Sequence, residues 1–388
     1  MSACKFIYSN PYLMAAYALT FASGLAGIYC AGMTTNMKNF GPKYNGMVIG
    51  SLMFVYGLSS GVFSLLYKFV LQSKLLPFIL TMTIVAGVIP LCTGFLFVGL
   101  HKEDADAPLP DQNMINRTTT PVAGVDETTT LIEIQPQEIE IPAYKQVLNR
   151  SSTTLEMLKS IDFYLLYIVY FCGVGTGLGI YNNLSSIVDT HGYGSSLTAD
   201  LVVMYSVFSS CGRVSYGVIS DCLRNHINRF TFMSFSQVGL AAVSFGFAYT
   251  RERWMFYPLM AGLGLFYGGM NATIAAAFSE RFGNKHYAVN YAVLMSACPI
   301  SSYLFGTLMT SYFYQRSIKV EGGKMCFGPI CYMPSFLLFS CMCMFGFLTC
   351  LFLMYRTRKM FALRNEALAQ QKMHETKLKV TLSVQYKI

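Results

Sequence analysis

Apolar runs of about 20 residues or more recur along the chain, near 11–33, 47–70, 76–100, 161–187, 200–220, 230–249, 255–279, 288–314 and 333–355. Each is long enough to cross a bilayer core of roughly 30 Å as a helix. Runs of this length favour helices over barrel strands. The pattern therefore predicts an all-α, polytopic bundle of nine transmembrane helices. One stretch breaks it. Residues 101–160 are polar, carry several prolines and have no clear period. They read as a disordered linker, with a short amphipathic helix near 144–159. The linker divides three spans (1–100) from six (161–355), and a basic, helix-prone tail (356–388) follows.

The most informative run is Asp162 to Tyr193, DFYLLYIVYFCGVGTGLGIYNNLSSIVDTHGY. About 25 residues separate its end charges, Asp162 and Asp189, which suffices for one crossing. Gly173, Gly175, Gly177 and Gly179 alternate within it. Their spacings of four form small-xxx-small pairs, which let neighbouring helices approach closely. The same glycines would also let a pore helix bend. A dinucleotide loop is excluded, because GVGTGLG follows no strand and opens no soluble helix. Asn182 and Asn183 then place two carboxamides in or near the apolar layer, where each needs a partner. That partner is a neighbouring helix or a solute, and Thr176 falls on the same pore-lining run. Tyr267 and Asn271 within GGMNATIAAA, and Ser301 and Ser302 after Pro299, are further candidates for solute contact. Gln237 reads as helix glue.

Composition sharpens the picture. The 388 residues are 54% hydrophobic and 12% charged, about half the charge of a soluble domain. The net charge of +9 is carried by clusters beside the spans, with no basic groove for nucleic acid. Placing the linker and the C-terminus in the cytosol puts 20 of the 28 Lys and Arg on that side. Most of the 12 cysteines sit singly in apolar runs and behave as small hydrophobes. Cys326 and Cys331 flank a short outside loop and suit a disulfide in an oxidising lumen. The spans hold no catalytic set, no carboxylate pair and no metal-ligand spacing, so an enzyme is excluded and no cofactor or metal is expected. No Asp, Glu, Lys or His lies deep in a span, which argues against a proton relay within this chain. In the linker, Glu127, Leu131 and Ile132 fit an acidic dileucine sorting signal. Contact of the tail with anionic lipid is an alternative to a simply solvated helix.

Several segments resemble nodulin-like transporters, a branch of the major facilitator superfamily close to monocarboxylate-transporter-like proteins. TTNMKNFGPKYNGMVIGSLMFVYGLSSGVFSLLY is similar to that family's fourth and fifth spans. DFYLLYIVYFCGVGTGLGIYNNLSSI is similar to its seventh, and SVFSSCGRVSYGVISD to its eighth with the following turn. The segment from Gly262 to Phe305 is similar to spans ten and eleven, and CFGPIC to a loop before the last span. The resemblance implies a twelve-helix fold of which the first three helices are missing here. It implies movement of a small organic solute by rocking of two halves about a midplane site. It also implies a cytosolic gate latch at Gly212, Arg213, Ser220, Asp221 and Arg224. A membrane partner or a second copy would stand in for the missing wall. A second reading is a non-transporting regulatory partner of a full-length carrier. The expected location is the plasma membrane or an endolysosomal or vacuolar membrane.

Overall fold

The computed structural model describes residues 32, 35–36, 45–70, 75–94, 151–223, 226–283, 286–321 and 326–385. The first expected span, most of the linker with its sorting signal at Glu127, Leu131 and Ile132, and Arg224 lie outside the described residues. Among those described the chain is an all-α bundle with no strand. Six of its helices are long and apolar enough to cross a membrane.

Helices α1 (Asn45–Leu65, closed by a π-turn at Leu66–Val70) and α2 (Leu75–Gly94) come first. A one-turn helix, α3 (Thr154–Lys159), opens the second part. Its start is fixed by a capping box: the Thr153 hydroxyl accepts from the Glu156 amide, and the Glu156 carboxylate accepts from the Thr153 amide. Then follow α4 (Ile161–Asn182), α5 (Leu184–Thr190), α6 (Ser195–Cys222), α7 (Arg229–Ala248) and α8 (Phe256–Phe282). α8 stops at Gly283, whose φ of +81° is one that a side chain disfavours. The next span is broken into α9 (Tyr287–Met295), α10 (Ala297–Ser301), a π-segment (Ser302–Met309) and α11 (Thr310–Glu321). The last helix, α12, runs unbroken from Met333 to Gln385.

Two features depart from the expected layout. Residues 151–159, the end of the linker where a short helix is expected, hold the helix α3 but are also fastened to the bundle: the Ser152 amide donates to Phe282 O at 2.8 Å, and Asn290 ties Thr154 and Ser152 to α9. The tail is not a separate element either. At about 1.5 Å per residue, the 53-residue α12 is roughly 80 Å long, far more than the bilayer core requires. The helix passes through the charged cluster at 356–364 without a break, and Arg356 and Arg364 meet carboxylates on neighbouring helices.

The glycine-bearing helix α4 is central. Gly173 and Gly177 face α8, where an added Cβ would strike Met270 and the Tyr267 ring. Gly175 and Gly179 face the opposite way, against Phe305 of the π-segment and Phe339 of α12. Two stripes of spacing four thus serve two neighbours on opposite sides of one helix. The core around them is aromatic and aliphatic, with Leu166, Val174, Ile180, Ile274, Phe278 and Phe305 fully buried.

Candidate functional site

The site forms where α1 meets α6 and α8. On α6, Ser206, Ser210 and Arg213 recur at spacings of four and three, a polar stripe on one helical face. All three are buried. The stripe docks on α1 at Gly57 and Gly61, where an added Cβ would strike the Arg213 guanidinium, the Ser210 hydroxyl and the Ser206 side chain. Three hydrogen bonds cross this contact. The Ser206 and Ser60 hydroxyls lie 2.7 Å apart, Ser210 donates to Phe54 O at 3.2 Å, and Arg213 Nη1 donates to Met53 O at 2.9 Å.

Arg213 is the singular member. It is 5% exposed, and no carboxylate pairs with it among the described residues. Its Nε has no hydrogen-bond partner among the described residues. The guanidinium sits 5.3 Å from the centre of the Tyr56 ring. Tyr205 and Tyr267 are within its electrostatic reach. Tyr181 of α4 stacks on Tyr205 at 4.5 Å, and Tyr205 lies 5.9 Å from Tyr267. A buried cation is thus surrounded by aromatic rings and hydroxyls contributed by α1, α4, α6 and α8. An unpaired buried charge of this kind costs several kcal/mol.

The residues expected to line a passage divide into two groups. Tyr267 belongs to the tyrosine cluster. Asn271 lies one turn further along α8, where it donates to Tyr267 O at 2.8 Å and accepts from Tyr170 at 3.0 Å. Of the others, Thr176, Asn182, Asn183 and Ser302 join helices, whereas the Ser301 hydroxyl bonds within its own helix. Thr176 is fully buried against α12, accepting from Cys343 at 3.2 Å. Asn183 donates to Gly179 O and Gly306 O, both at 2.8 Å, tying α4 to the π-segment. Asn182 donates to Ser302 at 3.0 Å, and Ser301 is buried with its hydroxyl on Cys298 O. Gln237 donates to Val169 O and bridges α7 to α4.

The expected gate cluster also divides. Gly212 packs α6 against α8, where an added Cβ would strike Leu265 O. Arg213, two turns before the end of α6, points to α1. Ser220 and Asp221 remain together at the helix end, but their partner is Arg229, the first residue of α7. Arg229 donates to Ser220 at 2.8 Å, to Asp221, and to Glu280 of α8 at 2.8 Å. Glu280 also accepts from Arg364 of α12. Beside it, Asp162 in the first turn of α4 accepts from Arg281 of α8 and Arg356 of α12. These pairs link α4, α6, α7, α8 and α12, all within the second part of the chain, so they brace that part. Asp162 at a helix start and Arg281 at a helix end also complement the helix dipoles. From the sequence alone, Arg229, Arg281, Arg356 and Arg364 are topogenic charges beside the spans. The missed signal is a carboxylate and a guanidinium recurring at the same ends of successive spans.

At the opposite end, Cys326 and Cys331 are joined by a disulfide. The loop that they close is fastened to the end of α5, where the Gly328 amide donates to Thr190 O at 2.8 Å.

Residues 147–363 match the family described as "NFD4, C-terminal domain", which is more than half of the chain. The chain belongs to this family. It is 27% identical to Protein NUCLEAR FUSION DEFECTIVE 4 of Arabidopsis thaliana over 214 residues, 53% of this chain and 36% of that protein. It is also 27% identical to Probable transporter MCH1 of Wickerhamomyces anomalus over 161 residues, 41% of this chain and 33% of that protein. The matched region spans about a third of the length of each relative. The NFD4 C-terminal region here covers α3 to the first part of α12, the braced six-span part. Family and apolar helices together mark an integral membrane protein of transporter-like character.

Proposed function

We propose that this chain moves a small organic anion across a membrane, and that Arg213 is its anchor. The observation that carries the proposal is the buried guanidinium with no carboxylate beside it among the described residues. A guanidinium offers a flat pair of N–H donors along its Nε edge, which matches the two oxygens of a carboxylate. With Nη1 engaged by Met53, that edge is the one left over. The tyrosine cluster supplies hydroxyls and ring faces for the rest of a small solute, in keeping with a mostly apolar pocket holding few polar anchors. Nε is closed off in this conformation. Access then requires α1 to separate from α6, a rocking of the first part against the braced second part, as in major-facilitator-type alternating access. A relative named a probable transporter supports the reading.

The test is uptake into vesicles containing the full chain. Small carboxylates should accumulate, neutral isosteres of the same size should not, and Arg213→Gln should remove the difference. Equal uptake of both classes, or none above empty vesicles, would refute the proposal. Saturable, Arg213-dependent binding without flux would instead identify a partner of a carrier.

A further inference from the structure

His191 stands where the ends of α5 and α7 meet the start of α8. It follows α5 directly and is half-buried. Its Nδ1 lies 2.9 Å from Ile187 O in the last turn of α5. Its Nε2 lies 3.1 Å from Thr250 O, just past the end of α7. Both partners are backbone carbonyls, which only accept. A neutral imidazole carries one N–H, so it satisfies one of them and turns a bare nitrogen to the other. The imidazolium carries two N–H groups and satisfies both. It also sets a positive charge against the carbonyl ends of two helices, where a cation is favoured.

Two aromatic rings fix the imidazole in this place. Phe256 meets it edge-on at 5.3 Å, and Tyr193 lies parallel to it at 6.4 Å. Neighbouring residues fasten the same seam. Thr190 O accepts from Gly328 of the disulfide loop, and the Tyr193 hydroxyl donates to Arg251 O at 3.4 Å. The titratable groups on the surrounding segments are Asp189 on α5, Tyr193 and Asp200 at the start of α6, Arg251, Glu252 and Arg253 between α7 and α8, and Tyr332 beside the disulfide. The carboxylates and guanidiniums among them nearly offset each other. None of these carboxylates forms an ion pair with His191 among the described residues. The two carbonyls are therefore the groups that respond most directly to the charge of the ring.

We propose that His191 is a proton-operated latch between α5 and the turn that joins α7 to α8. In acid the doubly protonated ring ties the two carbonyls together. As the pH rises through the range in which an imidazole loses its charge, about pH 5 to 8, one tie is lost and the seam loosens. Disulfides persist on the oxidising side of a membrane, so the latch samples the pH of that side. α5 joins α4 to α6, the helices that carry Tyr181 and Arg213, and the closed latch restrains the disulfide-side ends of both. The latch does not rest on the transport reading, because it needs only the ring and its two acceptors.

The test is hydrogen exchange of the full chain in nanodiscs, corrected for the intrinsic pH dependence of amide exchange. The amides of 190–193 and 249–251 should be about tenfold better protected at about pH 5.5 than at about pH 7.5, the size of one charge-assisted hydrogen bond. His191→Phe keeps a ring against Phe256 and Tyr193 but removes both donors. Its protection there should be low at both pH values. His226→Gln, between α6 and α7, should keep the full response. Nitrogen NMR of the histidine rings in the unaltered chain gives a readout that needs no variant. In acid, both ring N–H protons of His191 should exchange slowly with water, because each is bonded to a carbonyl. Rapid exchange of either proton overturns the proposal. So does equal protection at the two pH values, or a response that survives His191→Phe or disappears in His226→Gln.

Discussion

Arg229 and Glu280, from the first turn of α7 and the last turn of α8, meet at 2.8 Å with both side chains largely buried. The pair is the hub of the brace, since Arg229 also holds Ser220 and Asp221 while Glu280 also holds Arg364. Breaking a buried pair from one side strands the other charge, at about 3–5 kcal/mol. Glu280→Ala should therefore lower the melting temperature of the detergent-solubilised protein more than Arg364→Ala does. The double variant Arg229→Met, Glu280→Leu should lose less than the sum of the two single variants, although Asp221 and Arg364 are then left without these partners. A double-mutant cycle with no coupling energy would dissolve the hub.

The glycines of α4 make a second prediction. Gly177→Ala would drive a methyl group into the Tyr267 ring, and Gly173→Ala would do the same to Met270. Each should destabilise by about 1–3 kcal/mol through forced repacking. Gly217→Ala on α6 has nothing within 4 Å and is the control. It should be neutral or stabilising by up to about 1 kcal/mol, because alanine is the better helix former. Equal melting temperatures for Gly177→Ala and Gly217→Ala would show that α4 has room to spare.

Apolar runs and glycine spacing are local signals, and the helices and the two packing stripes of α4 follow from them. The nearness of Cys326 and Cys331 is local too. Partners are not local. A polar group in an apolar run needs a partner, so Asn183 reads as facing either a neighbouring helix or a solute and Thr176 as lining the same run, but periodicity does not name the neighbouring helix. In the fold, α12 and the π-segment supply it. The resemblance places Arg213 in one gate cluster with Asp221, eight residues further on. Two turns of helix carry it to a different contact. The stripe Ser206, Ser210, Arg213 was legible at helical spacing and would have pointed to a buried polar face. The brace joins residues as far apart as Asp162 and Arg356, a pairing that only the bundle decides.

The disulfide closes a loop of few residues, so its contribution is small, about 2 kcal/mol on the chain-entropy estimate. A reducing agent should lower the melting temperature of the unaltered chain by a few degrees and leave the double variant Cys326→Ser, Cys331→Ser unchanged. Because the loop is also fastened to α5 through Gly328 and Thr190, the loss should be local. Hydrogen exchange should rise at 326–332 and around Thr190 while α7 and α8 stay protected. Uniform exchange across the bundle would mean that the disulfide supports the whole fold.

Arg213 gives the sharpest separation between a structural and a functional role. If its purpose were to hold α1 to α6, removing it would leave Met53 O without its donor, and stability would fall. A buried cation without a carboxylate is, however, a liability that an apolar side chain of similar volume relieves. Arg213→Met should therefore raise the melting temperature, by the equivalent of about 1–4 kcal/mol, while abolishing anion uptake. Arg213→Lys should keep the charge but lose the planar fork. Its KM for a carboxylate should rise by about tenfold, the cost of roughly 1.4 kcal/mol of binding, with the maximal rate less affected. Lower stability in Arg213→Met together with normal uptake would make this arginine a helix fastener, and the anion site would have to be sought elsewhere in the bundle.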